Sequence, residues 1–166
     1  MDFAPADALQ YELLQYLRQR HGHVSWERVV SGPGIAAIME FLRDTGRGAP
    51  SARLAAAMTE GDAAAAITQF AQQDDEPAAR IALDLFLAAY GAFVGNVALI
   101  TLPRGGMYVA GGIAGKIITA MQQGVFLRSF MDKGRYTGLL ETLPLHIVTN
   151  PQAGLLGASL AARRMM

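Results

Sequence analysis

The chain contains no cysteine among its 166 residues, which excludes disulfide frameworks, thiol nucleophiles and cysteine-ligated zinc. It also lacks a surplus of charge of either sign, because 14 basic side chains balance 14 acidic ones. Only two of the basic residues, Lys116 and Lys133, are lysines. Because a dedicated nucleic-acid binder gathers excess Lys and Arg on one face, nucleic acid is not expected as a partner.

The first seven residues lack the basic stretch, the apolar run and the small-residue cleavage site of a secretory signal. We therefore expect a cytoplasmic location. The composition is 52% apolar, which excludes intrinsic disorder. A chain of this length supports one domain over residues 1–166 with a core of its own.

One long apolar run, residues 81–102, has about the length that spans a bilayer and contains Gly91 and Gly95 in a small-xxx-small pattern. Asp84 and Asn96 disfavour a membrane-spanning helix, because polar groups are costly in lipid. We interpret the run as a helix buried inside a soluble domain, with no membrane partner. Gly91 and Gly95 would then mark places where another backbone approaches closely. A membrane helix is the alternative.

Hydrophobic periodicity and turn residues predict a predominantly helical α/β chain. Two short apolar runs near the end read as strands, the first of them buried, and the crossover between them is long enough to make them parallel. The first predicted helices are 7–20 with Asp7 as cap, a short turn capped by Ser25, 35–43 with Pro33 in the first turn, 51–58 with Ser51 as cap, and a helix that begins at Thr59. A linker at 72–77 then leads to the long apolar helix, which has Pro77 in its first turn. The last predicted helices are 113–122, 126–131 and 153–163, and the strands lie at 107–110 and 145–149.

Two places in the chain are candidates for chemistry. Gly111-Gly112 follows the first strand, where a ligand can sit against glycine backbone and the next helix N-terminus; a tight connection is the alternative. Glu27 follows Trp26 and precedes a glycine-rich turn, so its carboxylate could accept sugar hydroxyl protons. The alternative is a first-turn Glu that the helix dipole favours. No histidine lies in a metal-ligand or triad spacing, so no metal site is predicted.

Several sequence blocks, in a fixed order along almost the whole chain, resemble the bacterial glucokinase family. Blocks in order, separated by long gaps, are far more specific than any single motif. They are Asp2-Phe3-Ala4-Pro5, His23-Val24-Ser25-x-Glu27-Arg28-Val29-x-Ser31-Gly32-Pro33-Gly34, Gly91-x-x-x-Gly95-Asn96-x-Ala98-Leu99, Gly105-Gly106-x-Tyr108-Val109-Ala110-Gly111-Gly112-Ile113, Phe130-x-Asp132-Lys133-Gly134-Arg135 and Asn150-Pro151-x-Ala153-Gly154-Leu155-Leu156-Gly157-Ala158.

The resemblance implies ATP-dependent phosphorylation of glucose at its 6-hydroxyl, with magnesium, on a two-lobed fold of the hexokinase and actin-like ATPase type. It places Glu27 at the carboxylate that binds the sugar hydroxyls. It places Gly111, Gly112 and Ile113 in the motif that binds the adenosine part of ATP. The turn at 31–34 would support the sugar side of the cleft.

This chain departs from the family pattern at residue 1. In the family, a Glu-Gly-Gly-His segment with two more sugar ligands directly precedes the block at Asp2, where this chain has Met1. The phosphate loops and the catalytic aspartate lie further upstream in the family. We therefore expect a carboxyl-terminal portion of a kinase with no catalytic residue of its own, inactive alone. A non-catalytic helical interaction module is the alternative.

The family resemblance has a further consequence for the sheet. The larger lobe of the family is built on a five-stranded sheet of ribonuclease H-like topology, of which the chain would supply the last two strands. The strand at 107–110 would then have a free edge, and such edges promote association. We expect a homo-oligomer or another association through that edge. The turn at 132–135 is a family signature that we interpret as structural.

Overall fold

The computed structural model describes residues 1–73 and 76–165, and its helices surround one long central helix, α5. Two strands form a parallel pair near the carboxyl end. The elements are α1 Ala8–His21, α2 Gly32–Asp44, α3 Ala52–Glu60, α4 Ala63–Gln73, α5 Pro77–Thr101, β1 Met107–Val109, α6 Ile118–Gln122, α7 Val125–Met131, α8 Thr137–Glu141, β2 Leu145–Ile147 and α9 Ala153–Met165, with 3-10 turns at Trp26–Arg28 and Gly134–Tyr136.

The helix starts follow local capping chemistry. The side chains of Asp7, Ser31 and Ser51 accept hydrogen bonds from backbone amides three residues on, at 2.8, 3.0 and 3.2 Å. Each bond satisfies an amide that has no partner within its helix. The caps predicted at Asp7 and Ser51 are therefore confirmed. Pro33 and Pro77 lie in the first turns of α2 and α5, as predicted.

The short turn predicted after Ser25 is present at Trp26–Arg28 but lacks a side-chain cap, and the helix start predicted at Thr59 is wrong. The Ser25 side chain makes no capping bond, and its turn is closed by the Arg28 amide donating to the Ser25 carbonyl. Thr59 does not begin a helix, because its hydroxyl donates to the Ala55 carbonyl within α3. The stronger acceptor, Asp62, caps α4 instead by binding two backbone amides. Of the predicted 72–77 linker, residues 74 and 75 lie outside the described residues.

Helix α5 is the centre of the core and packs against α2, α4 and α7. By length and composition it could cross a membrane, yet 56% of its most apolar 18-residue window is buried inside the protein. A Cβ added at Gly91 would overlap the Phe126 carbonyl oxygen, and one at Gly95 would overlap that of Phe130. The prediction that a second backbone approaches both glycines is confirmed, and that backbone belongs to α7.

The two strands are parallel as predicted, with Met107, Tyr108 and Val109 opposite Leu145, His146 and Ile147. They are shorter than the predicted ranges. The prediction that the first strand is buried is wrong for Tyr108, which is 64% exposed. Because side chains alternate across a strand, Val109 faces the core while the Tyr108 ring stacks on His146 at 4.8 Å.

The segment after β1 also differs from the predicted helix over 113–122. Residues 111–117 form turns, and α6 begins only at Ile118. Gly111 has φ +126°, a conformation that side chains other than glycine rarely adopt. Three glycines in this segment disfavour a helix. The 3-10 turn at 134–136 and helix α8 are elements that the sequence did not predict.

Helix α9 contributes no buried residue among those described, and Leu155, Leu156 and Leu160 are each more than half exposed. Within the described residues no third strand covers the outer edge of β1. The open strand edge and the exposed leucines, here together the association surface, are both features that other chains can bind.

We predict that the chain self-associates through this surface. In sedimentation velocity, the apparent mass should rise above 17.7 kDa with increasing concentration. Replacing Leu156 and Leu160 with glutamate should reduce the association, because both changes add charge to the exposed face. Replacing Gln69 and Gln72, two exposed residues of α4, with glutamate serves as the charge-matched control. A chain that stays monomeric at all concentrations would contradict the prediction.

Candidate functional site

Glu27 lies on a rigid turn. The preceding residue, Trp26, is only 4% exposed, and its ring centroid lies 5.1 Å from those of both Phe3 and Phe93. The Trp26 amide also donates to the Met1 carbonyl at 3.1 Å. The buried indole therefore fixes the backbone that carries Glu27, while Glu27 itself is exposed.

An open cleft of about 750 Å³, here the Glu27 cleft, lies beside this turn. It holds two carboxylates, from Glu27 and Glu40, together with the guanidinium of Arg28. Carboxylates accept hydrogen bonds and guanidinium groups donate them, so the lining suits a ligand with several hydroxyl groups. The lining residues are His21, His23, Ser25, Glu27, Arg28, Ser31, Pro33, Ala36, Ala37 and Glu40.

The first turn of α2 packs directly on the turn that carries Glu27. A Cβ at Gly34 would overlap the carbonyl oxygen of Val29, so only glycine permits this approach. Val29 itself is fully buried. Ser31 and Pro33 line the Glu27 cleft. The structure thus places the turn at 31–34 beside Glu27, the residue predicted to bind the sugar. That the turn supports a sugar site stays a prediction.

A second cavity of about 210 Å³, here the α2–α4 pocket, lies between the N-terminal ends of α2 and α4 and the turn after β1. Its surface is mainly apolar, with charged groups from Asp62 and Lys116. The lining residues are Gly32, Ile35, Asp62, Ala64, Ala65, Thr68, Gly112, Ile113, Lys116 and Ile117.

The three residues predicted for nucleotide binding lie together, on a ridge between two cavities. Gly112 and Ile113 line the α2–α4 pocket. Together with Gly111, they also line a smaller cavity of about 180 Å³ beside Phe86 and Tyr90, here the Tyr90 pocket. Burial raises the pKa of the Tyr90 phenol, so this hydroxyl stays neutral at physiological pH.

Glu27 does not lie in either of these two cavities. The first turn of α2 lies between the Glu27 cleft and the α2–α4 pocket. Ser31 and Pro33 line the cleft, whereas Gly32 lines the pocket. The expected helix N-terminus directly after Gly111-Gly112 is absent, because α6 begins at Ile118. The helix starts at this pocket are those of α2 and α4, which the sequence did not assign to the nucleotide side.

Lys133, in the predicted structural turn at 132–135, packs along α5. Its Cε would lie 2.7 Å from a Cβ at Gly95, and its ammonium donates to the Ser129 carbonyl at 3.4 Å. Burial lowers the pKa of this ammonium group. The long side chain thus fills the space that Gly95 leaves open. This packing is consistent with the interpretation of the 132–135 turn as structural.

Sequence reasoning missed Glu40, Asp62 and Lys116 as lining residues. Each lies outside the blocks that carry the family resemblance, and Asp62 and Gly112 meet only in the folded chain, as lining of the α2–α4 pocket. Asp62 did carry a local signal as an acidic residue at a helix start. Across residues 1–73 and 76–165, no three His, Asp or Glu side chains form a group that could hold a metal ion. Kinases hold Mg²⁺ with one or two carboxylates together with the substrate phosphates, so the magnesium that the resemblance implies for the complete enzyme stays a prediction.

Comparison with known proteins decides the family, because the glucokinase family model matches residues 1–165. The chain belongs to the glucokinase family. A glucokinase of Synechocystis sp. is 45% identical over 97% of this chain and 49% of its own length. A glucokinase of Trichormus variabilis is 45% identical over 99% of this chain and 52% of its own length. The resemblance read from the sequence is confirmed.

Solved structures agree with this family. The crystal structure of a glucokinase from an Antarctic psychrotroph superposes with a TM-score of 0.81 at 27% identity, covering 99% of this chain and 48% of that one. A Balamuthia mandrillaris glucokinase in complex with glucose has a TM-score of 0.68 at 21% identity, which shows likeness of fold. The chain spans about half the length of the glucokinases that it matches, corresponding to a carboxyl-terminal portion.

Proposed function

We propose that the chain is the large-lobe portion of an ATP-dependent hexose kinase, which phosphorylates glucose at its 6-hydroxyl. The observation that carries the proposal is the adjacency of the Glu27 cleft and the α2–α4 pocket across the first turn of α2. A phosphoryl-transfer enzyme needs its two substrates side by side in this way. The proposal includes an actin-like, ribonuclease H-like lobe and a cytoplasmic location, as suits an enzyme of glycolysis.

In this proposal Glu27 binds glucose. An ionised carboxylate accepts hydrogen bonds from two neighbouring hydroxyl groups, and each such bond to a charged group is worth about 1.5–3 kcal/mol. The buried Trp26 fixes the backbone that carries this carboxylate before the sugar arrives. Holding the group in advance lowers the entropic cost of binding.

The adenosine part of ATP would lie against Gly111, Gly112 and Ile113, where glycine backbone allows a flat ring to approach. The positive end of the α2 dipole lies between the two cavities, which favours phosphate groups there. Bound ATP supplies the phosphoryl group. The catalytic base and the phosphate loops would come from the half that this chain does not cover, so the chain alone is inactive.

One observation favours a different function. Helix α9 exposes Leu155, Leu156 and Leu160, and the edge of β1 is open within the described residues. A helical interaction module without catalysis would use such a surface to bind a partner protein.

A hybrid protein distinguishes the two functions. It joins the amino-terminal half of the Synechocystis sp. relative to this chain, and sugar phosphate formed from glucose and ATP is measured by mass spectrometry. We expect ATP-dependent product from the hybrid and none from the chain alone. A hybrid with the far-ultraviolet circular dichroism of a folded protein but no product would reject the kinase and favour the interaction module.

A further inference from the structure

The α2–α4 pocket has an apolar surface and a charged rim. Ile35 and Ile117 are fully buried beneath it, and Ile113 forms one wall. Asp62 and Lys116, both exposed, contribute one negative and one positive group. An apolar slot with one acceptor and one cation suits a ligand with a flat apolar part, hydroxyl groups and an anionic tail.

The size of the pocket limits what enters it. Pockets for whole drug-sized ligands have roughly 300–1,000 Å³. At about 210 Å³, this one has room for only one end of a nucleotide. The Tyr90 pocket on the other side of the ridge at Gly112 offers no charged group to a ligand. The ribose, which carries the hydroxyl groups of a nucleotide, therefore fits the α2–α4 pocket better than the Tyr90 pocket.

The two carboxylate oxygens of Asp62 have different surroundings. Oδ1 accepts the backbone amides of Ala64 and Ala65, at 3.0 and 3.2 Å, and so holds the side chain at the start of α4. Oδ2 receives no hydrogen bond from the residues that the structure describes. One oxygen thus fixes the carboxylate, and the other remains available to a ligand in the pocket.

We propose that Asp62 is a specificity-determining residue that binds the ribose hydroxyls of the nucleotide. A carboxylate accepts hydrogen bonds and cannot donate them. It therefore binds the hydroxyl groups of a vicinal diol and forms no hydrogen bond with a sugar that lacks hydroxyl groups. The pocket then prefers ribonucleosides to 2′,3′-dideoxyribonucleosides. This inference rests on the proposed kinase function, since it assigns the pocket to the nucleotide.

The test measures binding of adenosine and 2′,3′-dideoxyadenosine to the chain by ligand-observed saturation-transfer NMR, a method suited to weak binding. Without phosphate contacts, we expect adenosine to bind with millimolar affinity, about 4 kcal/mol. The dideoxynucleoside should bind about tenfold more weakly, as loss of hydrogen bonds to a charged group implies. This comparison uses the parent chain and needs no variant.

Asp62→Asn separates ligand binding from folding. The Asn amide oxygen can still cap α4, because Asn and Asp are similarly good caps, whereas its NH2 group replaces the free acceptor. We expect adenosine to bind Asp62→Asn about tenfold more weakly and the two nucleosides to become equal. Glu60→Gln removes the same charge at an exposed position that does not line the pocket, and it should change neither affinity.

Equal binding of the two nucleosides by the parent chain would overturn the inference. So would an Asp62→Asn variant that keeps the preference, or a chain that binds no adenosine at the limit of its solubility. The proposed function is tested separately by the hybrid protein. If the hybrid forms glucose phosphate while the nucleoside preference is absent, the kinase proposal stands and the role of Asp62 is rejected.

Discussion

Replacing Gly91 with alanine should destabilise the fold by about 3 kcal/mol, at the upper end of the usual cost of overpacking. The added Cβ would overlap the carbonyl oxygen of Phe126 and lie 3.1 Å from the amide nitrogen of Phe130. Both are backbone atoms of α7, so no side-chain rotation relieves the clash. The gain in helix propensity, about 1 kcal/mol, does not offset it.

The measurement for Gly91→Ala is urea unfolding followed by far-ultraviolet circular dichroism. Gly138→Ala is the matched control, because the same change in helix α8 has no atom within 4 Å of the new methyl group. It should leave the unfolding midpoint unchanged or slightly raised. If Gly91→Ala were as stable as the parent, the close crossing of α5 and α7 would not exist in solution.

Glu27→Gln in the hybrid protein should raise the KM for glucose at least tenfold. Gln has nearly the same shape, but it lacks the charge that strengthens hydrogen bonds to the sugar hydroxyls, each worth about 1.5–3 kcal/mol. The fold should be intact, since the turn is held by the buried Trp26 and not by the carboxylate. Steady-state kinetics with glucose as the varied substrate gives the KM.

Glu60→Gln provides the control for Glu27→Gln, because it removes the same charge at an exposed position that does not line the Glu27 cleft. Its KM for glucose should change less than twofold. A Glu27→Gln hybrid with glucose affinity within twofold of the parent would reject the assignment of Glu27. Equal losses in both variants would indicate a general effect of net charge and would also reject the assignment.

Features that depend on neighbouring residues were predictable from the sequence. The side chains of Asp7 and Ser51 each accept a hydrogen bond from an amide only three residues further along the chain, so the sequence alone indicates the cap. The close approach at Gly91 and Gly95 was also predictable, because two glycines four residues apart leave a groove on one face of a helix. The partner of that groove, α7, could not be named from the pattern alone.

Features that depend on packing between distant elements were not predictable. A continuous apolar run reads as a buried strand, yet Tyr108 lies on the exposed face of a two-stranded pair. Glu27 and Gly112 were candidates from their local sequence, and the family resemblance gave them roles, whereas Asp62 reaches its pocket only because α4 packs beside α2. No spacing in the sequence encodes that contact.

The position of the α2 N-terminus has a thermodynamic consequence for binding. One face of this turn borders the Glu27 cleft through Ser31 and Pro33, and Gly32 borders the α2–α4 pocket. A shift of the turn that tightens one cavity therefore changes the other. In the proposed kinase, where the sugar and the nucleotide occupy these two cavities, linkage requires the factor by which the sugar changes nucleotide affinity to equal the factor by which the nucleotide changes sugar affinity. Because a Cβ at Gly34 would overlap the Val29 carbonyl oxygen, a larger residue at position 34 would displace this turn and so alter both cavities at once.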